Sequence, residues 1–394
     1  MKIALVVQGR FHAFDLAREL LNRGHDVTLF TNYPRWAVAR FDVPRDRARG
    51  FLTHGLLSRA NQQLPRQALA GVREAGLHRL FGRWASAELA KECWDIVHVW
   101  SGVAEEALRT LRRRPGVTTL LMRGSAHIRA QDRLLREEEA RTGTPQDRPS
   151  PWMVAREERE YELADAVVVL STFSYDTFVA EGIPPERLRL LPLGARLSSF
   201  RPSSDVVEAR RQRILSGAPL RVLYVGSVSF RKGLWDLVAV ARSVSQADIQ
   251  LRLVGPRLAE TASIVTDLPW WVIVDGKQPQ RALPDVYAWA DLFVFPTIED
   301  GYPAVMAQAA ASGLPILTTP NGSGLDLVCE GDTGWIVPIR SPERLVERLR
   351  WCATHRAELA AMVGHVYSGY RPRDWADVAA DFEALCAPAT LGQM

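Results

Sequence analysis

Arg231 and Lys232 stand side by side in Val225-Gly226-Ser227-Val228-Ser229-Phe230-Arg231-Lys232-Gly233, a glycine turn that follows an apolar run and enters a helical pattern. Two adjacent cations at a helix start suit a diphosphate, through charge and through free backbone N–H groups. Lys232 is one of only four lysines in an arginine-rich chain, which favours a functional role over a solvated basic turn. A second constellation lies in Phe293–Thr319. There an apolar run ends at Pro296, the acids Glu299 and Asp300 follow, and Gly301-Tyr302-Pro303 opens a helix of small residues. Gly301 permits a tight turn, and Pro303 lacks an N–H where a helix start needs none, so the amides of Ala304 and Val305 are free to meet an anion. Asp300 or Glu299 can accept a hydrogen bond from a sugar hydroxyl. Gln308, eight residues after Asp300, lies near the same face and can bind a ribose diol.

Two further loops carry polar side chains after apolar runs. Gln8-Gly9-Arg10-Phe11-His12 lacks the GxGxxG spacing of a dinucleotide site, which disfavours a nicotinamide enzyme. His12 fits either a cleft-facing group or a packing residue. Arg123-Gly124-Ser125-Ala126-His127 places a histidine where a parallel strand should end, within reach of a substrate hydroxyl. No aspartate is followed two residues later by another, and HExxH, GxSxG and GxxxxGK[ST] are absent. Diphosphate handling by cations and helix dipoles, without a metal, is the chemistry that remains.

The elements that must position these loops alternate strand and helix in both halves. Strands are predicted at Lys2–Val7, Asp26–Thr31, Ile96–Trp100, Thr118–Met122, Ala166–Leu170 and Leu188–Leu191. A second series follows at Arg221–Val225, Gln250–Val254, Trp271–Asp275, Leu292–Phe295 and Ile336–Pro338. Tyr33–Glu92 shows no clear strand and reads as a mostly helical insertion. Gly194–Leu215, polar and proline-bearing at first and then helical, reads as the interdomain linker. The predicted organisation is an α/β chain of two Rossmann-like parallel-sheet domains facing a cleft, residues 1–195 and 219–365. Residues 196–218 would join them, and 366–394 would form a C-terminal helical segment returning toward the first domain.

Composition sets the outer bounds. At 394 residues, with 47% hydrophobic and 24% charged residues, the chain is an average globular one and too long for one ordinary core. Four scattered cysteines without a CxxC pair argue against disulfide scaffolds and zinc clusters, and a cytoplasmic location is expected. Residues 1–195 carry 29 Lys and Arg against 24 Asp and Glu. That mild basicity suits either an anionic membrane surface touched peripherally or ordinary solvated helices. No nucleic-acid partner is expected.

Taken in order, these residues resemble the retaining glycosyltransferases of family 4, whose fold is termed GT-B. The resemblance runs through Gly9–Ala17, Arg23–Val27, Arg123–His127, Ala164-Asp165, Leu170-Ser171 and Leu191–Gly194. It continues through Gly226–Gly233, Ala290-Asp291, Phe295-Pro296, Asp300–Pro315 and Glu330–Gly334. It implies transfer of a hexose from a nucleoside diphosphate sugar to a glycan, lipid-linked or small-molecule acceptor, without cofactor or metal. The donor would bind the second domain and the acceptor the first. By this resemblance Lys232 matches the family's lysine, while Ser227 replaces its partner arginine and Arg231 takes over that charge. Asp300 and Gln308 stand where the family carries two glutamates, with Glu299 one residue out of register. His127 looks like the histidine that contacts the donor sugar.

The catalytic set implied is therefore His127, Asp300, Arg231 and Lys232. Gly9, Ser227, Glu299, Gly301, Tyr302, Pro303, Ala304, Val305 and Gln308 would hold the donor, and Arg10 and His12 would face the acceptor. Two rivals differ in chemistry. An inverting GT-B enzyme or epimerase would need Asp15 or His12 as base, and a degenerate binder would follow from the loss of both glutamates.

Overall fold

The computed structural model describes residues 1–63 and 70–387. Residues 64–69 of the predicted insertion and 388–394 of the predicted C-terminal segment lie outside the described residues. The first domain is a seven-stranded sheet of β1 (Lys2–Val7), β2 (Asp26–Thr31), β3 (Ala48–Gly50), β4 (Ile96–Trp100), β5 (Thr118–Met122), β6 (Ala166–Val169) and β7 (Leu188–Leu190). Its order is β3-β2-β1-β4-β5-β6-β7, every pairing parallel. Helices cover both faces, so β1 buries residues of alternate phase in two cores: Ile3, Leu5 and Val7 on one side, Ala4 and Val6 on the other. Unbroken apolar runs are what a parallel sheet buried on both faces requires.

The second domain has six parallel strands, β8 (Leu220–Val225), β9 (Ile249–Val254), β10 (Ile273–Asp275), β11 (Leu292–Phe295), β12 (Ile316–Thr318) and β13 (Gly334–Ile336). They lie in the order β10-β9-β8-β11-β12-β13. The strand order reverses at β1/β4 and at β8/β11. The loops leaving these strands are the four that the sequence singled out, save that 123–127 leaves β5, next to β4. Crevices at such reversals are where parallel sheets bind ligands.

Three sequence expectations are corrected. The region Tyr33–Glu92 contains β3, an edge strand of three residues pairing Ala48 with Leu29, too short to show a period. The helical part of the predicted linker, Ser204–Leu215, forms as expected but belongs to the second core through Val207 and Ile214. Its buried Arg210 donates to the carbonyls of Ser312 (2.7 Å) and Gly313 (3.2 Å), which close the helix Ala304–Ala311. The strand expected at Ile336–Pro338 begins earlier, at Gly334, because Gly334 and Trp335 pair with Ile316 and Leu317.

The chain crosses between domains twice, and the crossings touch. Ala195 N–H donates to the carbonyl of Arg373 (3.0 Å), and a Cβ on Gly194 would lie 2.2 Å from the carbonyl oxygen of Asp374. Past the second crossing, Asp374 caps the helix Trp375–Leu385 with a reciprocal capping box. That helix buries Trp375, Val378, Ala379 and Phe382 in the first domain's core, and Glu383 pairs with Arg23 and His25. Among the described residues, no helix is long and apolar enough to cross a membrane.

Candidate active site

The turn after β8 is compact. Phe230–Lys232 makes one 3-10 turn, and Gly233, at φ 84°, starts the following helix. This aims both cations at the loop after β11. Arg231 Nη2 pairs with Glu299 Oε2 at 2.5 Å and donates to Ser125 Oγ at 3.2 Å. Lys232 Nζ donates to Asp300 Oδ2 (2.6 Å) and to the Glu299 carbonyl (3.0 Å). Burial lowers the Lys232 pKa, against the pull of Asp300.

Glu299 is the joint of the site. It is 0% exposed, and its carboxylate accepts from Ser125 Oγ, from Ala126 N–H (3.1 Å) and from Gln131 Nε2 (3.2 Å), all in the first domain. Burial alone would raise its pKa. The charges of Arg231 and Lys232 and the hydrogen bonds from Ser125 and Ala126 outweigh that and hold it at about 2. Of the two acids that could meet a sugar, Glu299 has its carboxylate engaged by Arg231, Ser125, Ala126 and Gln131. Asp300 lines the cleft instead.

Gly301 has a different reason from the one predicted. Its φ is not positive. A Cβ there would sit 2.1 Å from the Gly124 carbonyl oxygen and 3.0 Å from Ser125 Cα, so glycine is needed for close approach of the two domains. Pro303 is the cap residue before the helix Ala304–Ala311, in extended conformation, and Ala304 and Val305 supply its first amides. Gln308 is buried, and its Oε1 accepts from Tyr287 Oη at 3.0 Å. That bond leaves Nε2, a pair of donors, as its end without a protein partner among the described residues. Ser227 is half-buried and its carbonyl accepts from Tyr224 Oη (2.7 Å).

His127 is corrected too. It caps the helix Ile128–Thr142, with Nδ1 accepting from Arg129 N–H (3.3 Å), and its ring packs on Tyr161 and Phe178 inside the first domain. Ser125, Gln131 and Arg123 of the same segment line the cleft in its stead. At the acceptor side, Arg10 lies 4.1 Å over Phe41 and 3.6 Å from Asp15, away from the cleft lining. His12 does line it, stacked near Trp375 and tilted on Trp100. Gly9 N–H is taken by Asn32 Oδ1 (2.9 Å). Phe11, Trp100 and Gln8 complete this end of a cavity of roughly 580 Å³. Sequence reasoning missed Trp100 and Gln131, which show no local signal. Among the described residues, no cluster of three His, Cys, Asp or Glu side chains is placed to hold a metal ion.

Outside the cleft, further pairs tie the domains. Arg340, held at φ 59°, reaches Glu137 (2.7 Å), Glu138 (3.0 Å) and the Leu134 carbonyl (2.7 Å), and Thr172 Oγ1 donates to Asp326 (2.6 Å).

Burial pushes the pKa values of His12, His98 and His127 down to about 4, 3 and 4. Unfolded histidines titrate near ~6.5. Between these values the unfolded chain binds more protons, so stability present above pH ~6.5 is lost as pH falls toward 4, by up to ~1.4 kcal/mol per pH unit for each imidazole. The urea midpoint should therefore drop across pH 6.5 to 4. A flat midpoint over that window would contradict the buried neutral rings.

Two family models match the chain where its two domains lie. Glycosyltransferase Family 4 matches residues 10–199, and Glycosyl transferases group 1 matches residues 219–355. The chain belongs to glycosyltransferase family 4. Among curated relatives, the GDP-mannose-dependent alpha-mannosyltransferase of Mycobacterium tuberculosis is 28% identical over 197 residues, half of each chain. The D-inositol 3-phosphate glycosyltransferase of Pseudarthrobacter chlorophenolicus is 25% identical over 82% of this chain and 76% of the relative. Among solved structures, HepE from Anabaena in complex with UDP and glucose superposes over 100% of both chains, with a TM-score of 0.66 and 15% identity. The fold of this family 4 member is thus the GT-B arrangement, with Arg231 and Asp300 lining the cleft between the domains and Lys232 paired to Asp300.

Proposed function

We propose that the chain transfers a hexosyl group from a nucleoside diphosphate sugar to an acceptor hydroxyl with retention and without a metal. The observation that carries this is Arg231 lining the cleft beside Asp300, with Lys232 paired to that same Asp300 and an uncapped helix starting four residues further on at Ala304. Two cations and a helix N-terminus supply the compensation that a departing diphosphate needs. The carboxylates of Glu299 and Asp300 hold both cations in place until phosphate oxygens replace part of that pairing. Asp300, freed from Lys232, then accepts from a sugar hydroxyl, and the Nε2 donors of Gln308 meet the ribose diol.

In the transfer itself, the bond from the anomeric carbon to the diphosphate oxygen breaks and a bond to the acceptor oxygen forms on the same face. The acceptor's proton passes to the leaving phosphate oxygen. UDP-sugars are the first donors to test, by likeness to HepE, and GDP-mannose by likeness to the mycobacterial relative. The acceptor is a glycan, lipid-linked or small molecule. Peripheral contact with an anionic membrane completes the reading. It is motivated by Leu52, Leu56 and Leu57, exposed on one helix with Arg59 a turn from Leu56. Unchanged liposome flotation in a Leu56→Glu, Leu57→Glu variant would remove it.

Calorimetry with UDP-, GDP- and ADP-sugars, with EDTA present throughout, tests the central claim. One donor class should bind and turn over with the anomeric configuration kept. Turnover that needs added metal, or an inverted product, would overturn the corresponding part.

A further inference from the structure

The cavity extends past the diphosphate turn into the first domain, where its polar atoms are unusual. Gln8 Oε1, His12 Nε2 and Trp100 Nε1 are all buried, and none has a hydrogen-bond partner among the described residues. All three side chains line the cavity, and Trp100 is 6% exposed. Buried polar groups are nearly always paired, and an unpaired one costs about 1–3 kcal/mol. Three in one wall mark the place of a missing partner. Between them they offer an acceptor (Gln8), a donor (Trp100) and an imidazole nitrogen able to act as either. That mixed set matches hydroxyl groups, which both donate and accept.

At the mouth stands Phe11, 66% exposed on a backbone at φ 40°. Such a conformation is costly for a bulky residue and points to function when the surroundings enforce it. An exposed ring held there offers an apolar platform to the C–H face of a pyranose.

The charges of this lobe complete the picture. Its arginines, Arg123 and Arg148, both lie within ion-pair distance of carboxylates: Arg123 of Glu157 at 3.2 Å, Arg148 of Glu139 at 3.5 Å and Asp132 at 3.8 Å. Against these two stand three lining acids, Glu74, Asp147 and Glu157. A phosphorylated or carboxylated ligand would meet no surplus of positive charge here.

We infer that the acceptor end is an uncharged, hydroxyl-rich saccharide that stacks on Phe11 and pairs with Gln8, His12 and Trp100. This rests on the transfer reading above and narrows its acceptor. The test uses the full chain, with UDP or GDP binding first measured by calorimetry and a sugar panel then followed by saturation-transfer NMR. The panel sets methyl glycosides and neutral disaccharides against glucose 6-phosphate, inositol 3-phosphate and glucuronic acid. Neutral sugars alone should bind. Phe11→Ala, an exposed position that spares the fold, and Trp100→Phe should each weaken them about tenfold while nucleotide affinity stays within about twofold. Binding confined to charged sugars, no binding by any neutral one, or wild-type sugar affinity in both variants overturns the inference and leaves the donor reading standing. Loss of nucleotide binding in the unaltered protein overturns both.

Discussion

Lys232→Ala should raise the dissociation constant for the nucleoside diphosphate about 100-fold and lower turnover by a comparable or larger factor. The side chain is mostly enclosed, and its ammonium is the only positive group within 4 Å of Asp300 among the described ion pairs. Removing it takes away one phosphate contact and also leaves a half-buried carboxylate facing the incoming diphosphate. A charge-assisted donor aimed at developing negative charge is worth about 3 kcal/mol, hence roughly two decades. The companion variant Asp300→Asn separates the two effects. It keeps the cation and relieves the competing carboxylate, so nucleotide affinity should hold or improve while turnover falls. Calorimetry and initial rates on both variants read this directly. Wild-type nucleotide affinity in Lys232→Ala would remove the lysine from the diphosphate site.

Gly301→Ala should be nearly as damaging for a reason unrelated to charge. The added carbon would meet the Gly124 carbonyl oxygen at 2.1 Å and its carbon at 2.7 Å. Both contacts are backbone, so no rotamer relieves them, and the loops after β5 and β11 must part. Parting them pulls Glu299 from Ser125, Ala126 and Gln131, and with it the anchor that sets Arg231. Each domain keeps its own core, so the melting temperature should change little. A displacement of ~1 Å at reacting groups can cost about 100-fold in rate. A fall of that size in kcat, with a larger radius of gyration by small-angle scattering in the nucleotide complex, is the expected result. A kcat within about twofold of wild type would show that the close approach is dispensable.

Much of the fold was legible because parallel strands buried on both faces need continuous apolar runs, and those runs are local. Lys2–Val7, Asp26–Thr31, Ile96–Trp100, Thr118–Met122 and Leu292–Phe295 stand where the periodicity placed them. β3 was hidden because three edge residues carry no pattern. The helix Ser204–Leu215 was legible, but its place in the second core was not, because its arginines look solvated although Arg210 is buried on carbonyls that close another helix. In the site, the turn at Gly226–Gly233 could be read, since glycine and cations act there through local backbone geometry. The assignment between Glu299 and Asp300 could not, because a one-residue phase decides which carboxylate faces the cleft and the deciding partners lie some 170 residues away. His127 was misplaced for a similar cause. Its position at the end of a strand was right, and the direction of its ring was set by Tyr161 and Phe178 from distant helices.

The returning C-terminal helix imposes an order on the chain's birth. Trp375, Val378, Ala379 and Phe382 are integral to the core formed by Ile3, Leu5, Phe14 and Leu29. A ribosome delivering this chain must therefore release residues through Phe382, and with them the whole second domain, before the first domain can close. Until then Phe14, Leu16 and their neighbours wait with one wall missing, and the second domain, whose core is made without that helix, is the first that can be completed.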